Sequence, residues 1–267
     1  FIMNYEYRIC CFIDILGFKS HIDSTVDGSG NDVEDKIKSV KQIIDIANKI
    51  LIDYDSGVSK SKMVTQFSDS IVISFRIEET SEVLYSLIDL LHIAFELANN
   101  GYLTRGGVSV GKLLHTKNHI FGPALVDAYI LESQKAINPR IIVSEEVIEI
   151  GKEFRMPHNS LEDETESIMS CLSLDDDGFY YIDYITQAND ELDEPNYDLV
   201  PYLKKLKSLI EIGLNSDLNS VITKHEWLKK KYNNYLTQIQ ENIKDWKHID
   251  NDRQLLLDFK NLTLIKD

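Results

Sequence analysis

Residues 7–18 read YRICCFIDILGF, and this stretch decides the fold. Tyr7 to Ile13 is an apolar run rich in aromatic and β-branched residues. It is too short for a typical helix, so it predicts a buried central strand. The run ends at Asp14. Gly17 lets the backbone turn closely, and Phe18 to Asp23 can then begin a helix. A second stretch, residues 62–75, reads KMVTQFSDSIVISF. Two β-rich runs flank Ser68-Asp69, which predicts a hairpin with Asp69 at or beside its tip.

Between these two stretches, apolar positions from Val33 to Leu51 keep a helical period up to about Asp53. The run VLYSLIDLLHIAFELAN predicts a helix from near Thr80 to a stop at Asn100-Gly101. Tyr102 to His115 reads as a strand and Pro123 to about Lys135 as a helix, with Pro123 suited to a helix start. Arg140 to Val143 and Phe179 to Ile185 read as further strands, with a helix opened by Ser144 between them. The order βααββαβ predicts an α/β sandwich (α+β) of the ferredoxin-like kind rather than a series of βαβ units. Residues 4–190 form this domain, with 154–176 (NSLEDETE, then DDD) as an acidic surface excursion. Residues 195–267 form a helical accessory segment, marked by Leu203, Leu206, Ile210, Leu214, Leu218, Val221 and Ile222, then by Leu228, Tyr232, Tyr235, Leu236 and Ile239.

The bulk composition excludes several classes of function. The 267 residues carry a net charge of -16, with 43% hydrophobic and 27% charged residues. Such a chain buries a sizeable core without disulfides. Binding to duplex nucleic acid needs clustered Lys and Arg, so nucleic acid is not an expected partner. The Lys residues at 204, 205, 207 and 229–231 are interleaved with acids and read as a solvated helix face. Cys10 and Cys11 are adjacent in a strand and point to opposite faces, and Cys171 stands alone, so no disulfide or metal-ligand spacing is present. No apolar run approaches the roughly 20 residues of a spanning helix, and no charged-then-apolar leader is seen. The expectation is a cytoplasmic protein that does not span a membrane.

The chemistry lies in Asp14 and Asp69. In a ferredoxin-like sheet the first strand is central and neighbours the hairpin, so both carboxylates can meet at one edge. Paired carboxylates suit Mg²⁺ or Mn²⁺, and two such ions would activate a ribose hydroxyl and hold a triphosphate. The backbone amides of Leu16, Gly17 and Phe18 lie at a helix start, a position that favours anions. Asp is also common as a cap or turn residue. Its recurrence after two apolar β runs, in FIDILGF and QFSDSIVIS, favours a joint role.

These contexts resemble the class III nucleotidyl cyclases. That family carries a metal-binding Asp in an F-x-D-I-x-G-F stretch and a second in a hairpin G-D or S-D turn. The resemblance continues through RGGVSVG (105–111) and FGPALVDAYILE (121–132), and covers residues 5 to about 148. It implies metal ligation at Asp14, Ile15 and Asp69, two Mn²⁺ or Mg²⁺ ions per site, and a head-to-tail homodimer with sites between the catalytic units.

Within that resemblance the chain departs from the purine cyclases. The base-reading positions of the family fall on Thr65 and His119, where adenylyl cyclases have Lys and guanylyl cyclases Glu at the first. The family's transition-state Asn and Arg fall on Val126 and Ile130, which can do neither job. Arg105, on a strand beside the site, is the first candidate for the missing cation, with Lys112 and Lys135 behind it; if it acts across the dimer interface, a chain lacking Asp14 and a chain lacking Arg105 should complement each other. The pattern RGG, G-x-x-x-H and FGPAL-x-x-AY-x-LES resembles the pyrimidine cyclases of Pycsar antiphage systems. This implies conversion of UTP to cyclic UMP, or of CTP to cyclic CMP. The product would reach a cyclic-nucleotide-binding effector without direct contact between the two proteins. Alternatives are a purine cyclase or a decayed cyclase-fold interaction module. A diguanylate cyclase would carry a GGDEF-like turn where this chain has QFSDS.

Overall fold

The computed structural model of the chain describes residues 4–53, 61–188, 192, 194–243 and 253–266. They form two compact units, one built from residues up to Leu97 with Tyr102–Ile182, the other from Ala98–Gly101 with Asp183 onward.

The first unit is organised around β1 (Glu6–Ile15). Helices α1 (Phe18–Asp23) and α2 (Glu34–Asp53) follow, then the hairpin of β2 (Met63–Phe67) and β3 (Ser70–Arg76). Next come α3 (Glu82–Asn99) and β4 (Thr104–His115). These strands pair in the order β2-β3-β1-β4, all antiparallel. That is the ferredoxin-like arrangement, with β1 in the interior of the sheet. The sheet extends through β6 (Ile141–Val143), β8 (Tyr180–Ile182) and β7 (Leu172–Leu174), and β6 joins β4 in parallel. The short β5 (Ile120–Phe121) pairs with the end of β4. The region after β5 is α4 (Pro123–Ile130), which continues as a π-helical turn over Leu131–Lys135.

Strand alternation divides β1 between two layers. Cys10 packs with Val72, Leu113, Ala124 and Ala128, with Phe12, Ile120 and Leu125 against them. The face of Cys10, Phe12 and Asp14 is therefore covered by α4. Cys11 lies on the other face, close to the ion-paired group of Lys62 with Asp89 and Glu82, the last two from α3. All three cysteines are free and buried.

The acidic run 154–176 is ordered rather than a bare excursion. Ser160 caps α6 (Leu161–Ser170), accepting from the Asp163 amide, and Ile168 is fully buried. Glu164 faces inward, accepting from Ser81 Oγ at 2.8 Å and Asn159 Nδ2 at 2.7 Å. Buried Arg140 forms ion pairs with Asp175 and Asp177 in the DDD loop. Acids crowd the exposed face of α6 and hide its apolar stripe from a composition reading. Before it stands α5 (Glu145–Glu153).

In the second unit, α7 (Pro195–Leu214) buries Leu199, Leu203, Leu206 and Ile210. The periodic run from Leu203 to Ile222 is broken at Asn215. The next helix, α8, spans Asn219–Asn242 and buries Leu228, Tyr232, Leu236 and Ile239. A last helix, α9 (Arg253–Lys260), adds Leu255 and Phe259. Among the described residues no helix is long and apolar enough to cross a membrane.

Candidate active site

Asp14 and Asp69 meet at one edge of the sheet. β1 delivers Asp14 at its end, in register with Arg105 of β4. The hairpin delivers Asp69 through a two-residue loop closed by the Phe67–Ser70 pair. Ser68 of that loop has φ 56, in the left-handed region. A non-glycine residue there costs on the order of 1 kcal/mol, strain that collects at functional turns. The Asp69 side chain lies within hydrogen-bonding reach of Asp14, and Ser70 Oγ donates to Asp14 Oδ1 at 3.4 Å.

Charge at this edge is dense. Burial pushes the Asp14 carboxyl up to about 6, the neighbouring charges of Asp69 and Glu132 push the same way, and Arg105 opposes them. Arg105 Nε stands 3.6 Å from Asp14 Oδ2 and also forms an ion pair with Glu132. That close contact lacks hydrogen-bond geometry, so Glu132 Oε1 and Arg105 Nε are buried without a hydrogen-bond partner. Glu132 is itself raised, by burial first, with Arg105 opposing and Asp69 adding. Two carboxylates in contact, one held above its ordinary range by burial and then by its acidic neighbours, fit a hard divalent cation whose charge would offset theirs. Among the described residues no group of three His, Cys, Asp or Glu side chains could hold a metal by itself. Mg²⁺ commonly takes one or two carboxylates and completes its shell with water and substrate phosphate. Ile15 could add only its main-chain carbonyl oxygen, because its side chain is a hydrocarbon with no ligating atom.

Beside the carboxylates a cavity of about 450 Å³ opens on the same face of the sheet. Phe12, Thr65 and Val72 form its floor, and Leu125, Val126 and Tyr129 of α4 form a wall. Tyr129 meets Phe12 edge to face, with ring centroids 5.6 Å apart. Gly107 explains how α4 comes so close: a Cβ there would stand 2.4 Å from the Ala128 carbonyl oxygen and 2.5 Å from Leu131 Cβ. A roomier cleft of about 590 Å³ lies in the helical unit, where Lys207 pairs with Glu211 and Lys229 with Glu226.

The structure brings Asp14, Asp69 and Arg105 together and puts Thr65 in the cavity floor. It separates other candidates from that place. The Leu16 amide donates to the Leu103 carbonyl at 2.8 Å, so it is not free for an anion. Gly17 (φ 75) and Phe18 remain at the start of α1. His119 is exposed at the β4–β5 turn, outside the cavity lining, because the Thr116–His119 turn reverses the chain there. The histidine that meets Thr65 is His115, at 2.8 Å from Thr65 Oγ1 to Nε2. Arg105 reaches the Asp14 of its own chain. Lys112 and Lys135 are exposed, and Val126 is exposed at the cavity wall.

Sequence reasoning missed Glu132 and the residues behind Thr65. Glu132 follows Ala124 and Ala128 at steps of four, the spacing of one helix face. Both alanines are fully buried, so the position was legible as inward-facing. Arg8 carried the other signal, a charge inside an apolar strand, which must be paired if buried.

No family model matches the chain. No curated protein matches it either. Among solved structures, a bacterial light-regulated adenylyl cyclase is similar over 54% of this chain and 79% of that one, with TM-score 0.40 and 20% identity. A second structure of a bacterial light-regulated adenylyl cyclase covers 55% and 45%, with TM-score 0.37 and 20% identity. The adenylyl cyclase CyaB from P. aeruginosa covers 56% and 82%, with TM-score 0.41 and 15% identity.

Proposed function

We propose that this chain is a pyrimidine nucleotidyl cyclase that converts UTP to 3′,5′-cyclic UMP and pyrophosphate, a second messenger read by a cyclic-nucleotide-binding effector in antiphage defence. The observation that carries the reading is the contact of Asp14 with Asp69, beside Arg105 and next to a cavity sized for a base. Asp14 and Asp69, with the Ile15 carbonyl, would hold Mn²⁺ or Mg²⁺. Such ions supply charge neutralisation of the triphosphate and acidify the ribose 3′-hydroxyl. In the reaction a bond forms between the 3′-oxygen and the α-phosphorus, the bond to the pyrophosphate oxygen breaks, and the hydroxyl proton is released. Arg105 brings a guanidinium to the edge where negative charge builds on the α-phosphate, and buried Glu132 holds Arg105 in place. The amides of Gly17 and Phe18 lie close by in sequence for the phosphate chain.

The cavity supports a small base. Its lining is largely apolar and offers the hydroxyls of Thr65 and Ser70 as polar contacts, the latter donating to Asp14. The outer wall is open: Phe67 is 82% exposed and Val126 55% exposed. Apolar side chains left in solvent beside a site support a second copy closing over it, as a two-fold homodimer.

Incubation of the full chain with each of ATP, GTP, CTP and UTP and Mn²⁺, followed by mass analysis of the products, tests the reading. Cyclic UMP as the main product is expected. Cyclic AMP or cyclic GMP alone would refute the pyrimidine assignment, and no pyrophosphate release from any nucleotide would refute the cyclase.

A further inference from the structure

Behind the cavity floor runs a chain of buried hydrogen bonds. Arg8, Ser74 and Thr65 share one face of the sheet with Cys10, Phe12 and Val72, since Cys10 pairs with Ser74 and Val72 with Thr65. Arg8 is 2% exposed and Ser74 is fully buried. Arg8 Nε donates to Ser74 Oγ at 3.0 Å, and Arg8 also donates to the Ser74 carbonyl at 3.1 Å and forms an ion pair with Glu6. Ser74 Oγ lies 2.8 Å from His115 Nδ1, and His115 Nε2 lies 2.8 Å from Thr65 Oγ1.

The direction of each bond follows from the first. A guanidinium only donates, so Ser74 Oγ accepts from Arg8. Its own hydrogen is buried and needs an acceptor. Among the described residues the acceptor at hand is His115 Nδ1. Burial, with Arg8 nearby, lowers the His115 pKa to about 4, which keeps the ring neutral near pH 7. A neutral ring that accepts at Nδ1 carries its proton on Nε2. Nε2–H therefore donates to Thr65 Oγ1, and the Thr65 hydroxyl hydrogen is left to point into the cavity that Thr65 lines.

We infer that the chain Arg8–Ser74–His115–Thr65 fixes the Thr65 hydroxyl as a donor, so that the site selects a base presenting a carbonyl oxygen there and rejects one presenting an amino group. Uracil and cytosine share O2 and differ at N3, donor against acceptor, and at position 4, carbonyl against amino; the selection by Thr65 is at position 4. A fixed donor there suits the carbonyl and meets the amino group hydrogen to hydrogen, with a polar group left unpaired in an apolar cavity. Arg8, Ser74 and His115 are positioning residues that act through Thr65. The inference rests on the cyclase reading for the identity of the ligand, but the proton arrangement does not.

Two measurements on the full chain separate these. Nitrogen NMR of histidine-labelled protein, with His115 assigned from the His115→Gln variant, should show a neutral ring protonated at Nε2 near pH 7. A ring protonated at Nδ1, or an imidazolium, would overturn the relay whatever the enzyme does. The second measurement is kcat/KM for UTP and CTP with Mn²⁺. Thr65→Val should cut the UTP-to-CTP ratio by about tenfold, the worth of one hydrogen bond to a buried partner, mainly through KM. Thr65→Ser should keep the wild-type ratio. Ser74→Ala, which frees the His115 tautomer without touching the cavity, should lower the ratio in part. A ratio unchanged in Thr65→Val overturns the inference, because the base then turns its shared O2, or nothing, toward Thr65. A ratio lost in Thr65→Val but unchanged in folded Ser74→Ala overturns the relay. Turnover of neither nucleotide by the wild type counts against the cyclase reading, and the tautomer then decides the relay by itself.

Discussion

Arg105 sits directly across the β1–β4 ladder from Asp14, and its Nε lies 3.6 Å from Asp14 Oδ2 within the same chain. Sheet register thus ties the guanidinium to the carboxylate beside it. Glu132 grips the same guanidinium from the π-helical turn after α4. Sheet edge and helix end therefore converge on one ion cluster.

Asp14→Ala and Asp69→Ala should each lower cyclisation by more than about a hundredfold, the scale on which metal sites respond to disturbed ligation. Circular dichroism should show both variants folded, since both side chains are at the rim rather than in the core. Near-wild-type turnover by either folded variant would remove the central claim.

Asp14 should also make stability depend on pH. Its folded pKa of about 6 lies above the ordinary aspartate value of about 3.9. The folded state therefore binds the proton more tightly than the unfolded chain. The stability that this contributes is fully present below about pH 4 and is lost as pH rises through about 6. At pH 8 without divalent ions the charged group costs on the order of 2–3 kcal/mol. Asp14→Asn, neutral at every pH, should melt several degrees higher than wild type at pH 8 and alike at pH 4. Added Mn²⁺ at pH 8 should raise the wild-type melting temperature and leave that of the Asn variant unmoved. Equal melting of the two proteins at pH 8 would show that Asp14 carries no such strain.

Mixing tests whether Arg105 works within its own chain. In a homodimer of an Asp14→Ala chain and an Arg105→Ala chain, each site keeps its own chain's defect. No activity should return on mixing, with subunit exchange confirmed by a tagged copy. Recovery toward a quarter of wild type is the signature of Arg105 acting across the interface, and would overturn its role within its own chain.

Gly107→Ala should be costly although the residue lies in a strand, where alanine is ordinarily harmless. The new methyl would meet the Ala128 carbonyl oxygen at 2.4 Å. Overpacking of this kind costs about 1–3 kcal/mol. A thermal melt should show the loss, and α4 displaced from the sheet should weaken nucleotide binding at the cavity wall. An unchanged melting temperature would mean that α4 moves away freely.

The ferredoxin-like order was legible in the sequence because its signals are local. YRICCFI is too short and too apolar for anything but a buried strand, and QFSDS between two β-rich runs can only turn. Asp14 and Asp69 were legible for the same reason, as acids placed where such runs end. The tertiary structure decided what depends on contacts far apart in the chain. It gave Thr65 the partner His115, 50 residues away, because β2 and the end of β4 converge on one face of the sheet. It turned Arg105 toward its own Asp14 through a register that no local pattern encodes. It closed the Leu16 amide onto Leu103, and it drew Glu132 into the site because glycine at 107 lets a helix approach the strand. Periodicity and turn chemistry set where each element begins and which face it buries. Which side chains then meet across the sheet is fixed by register and close packing, and those are properties of the folded whole.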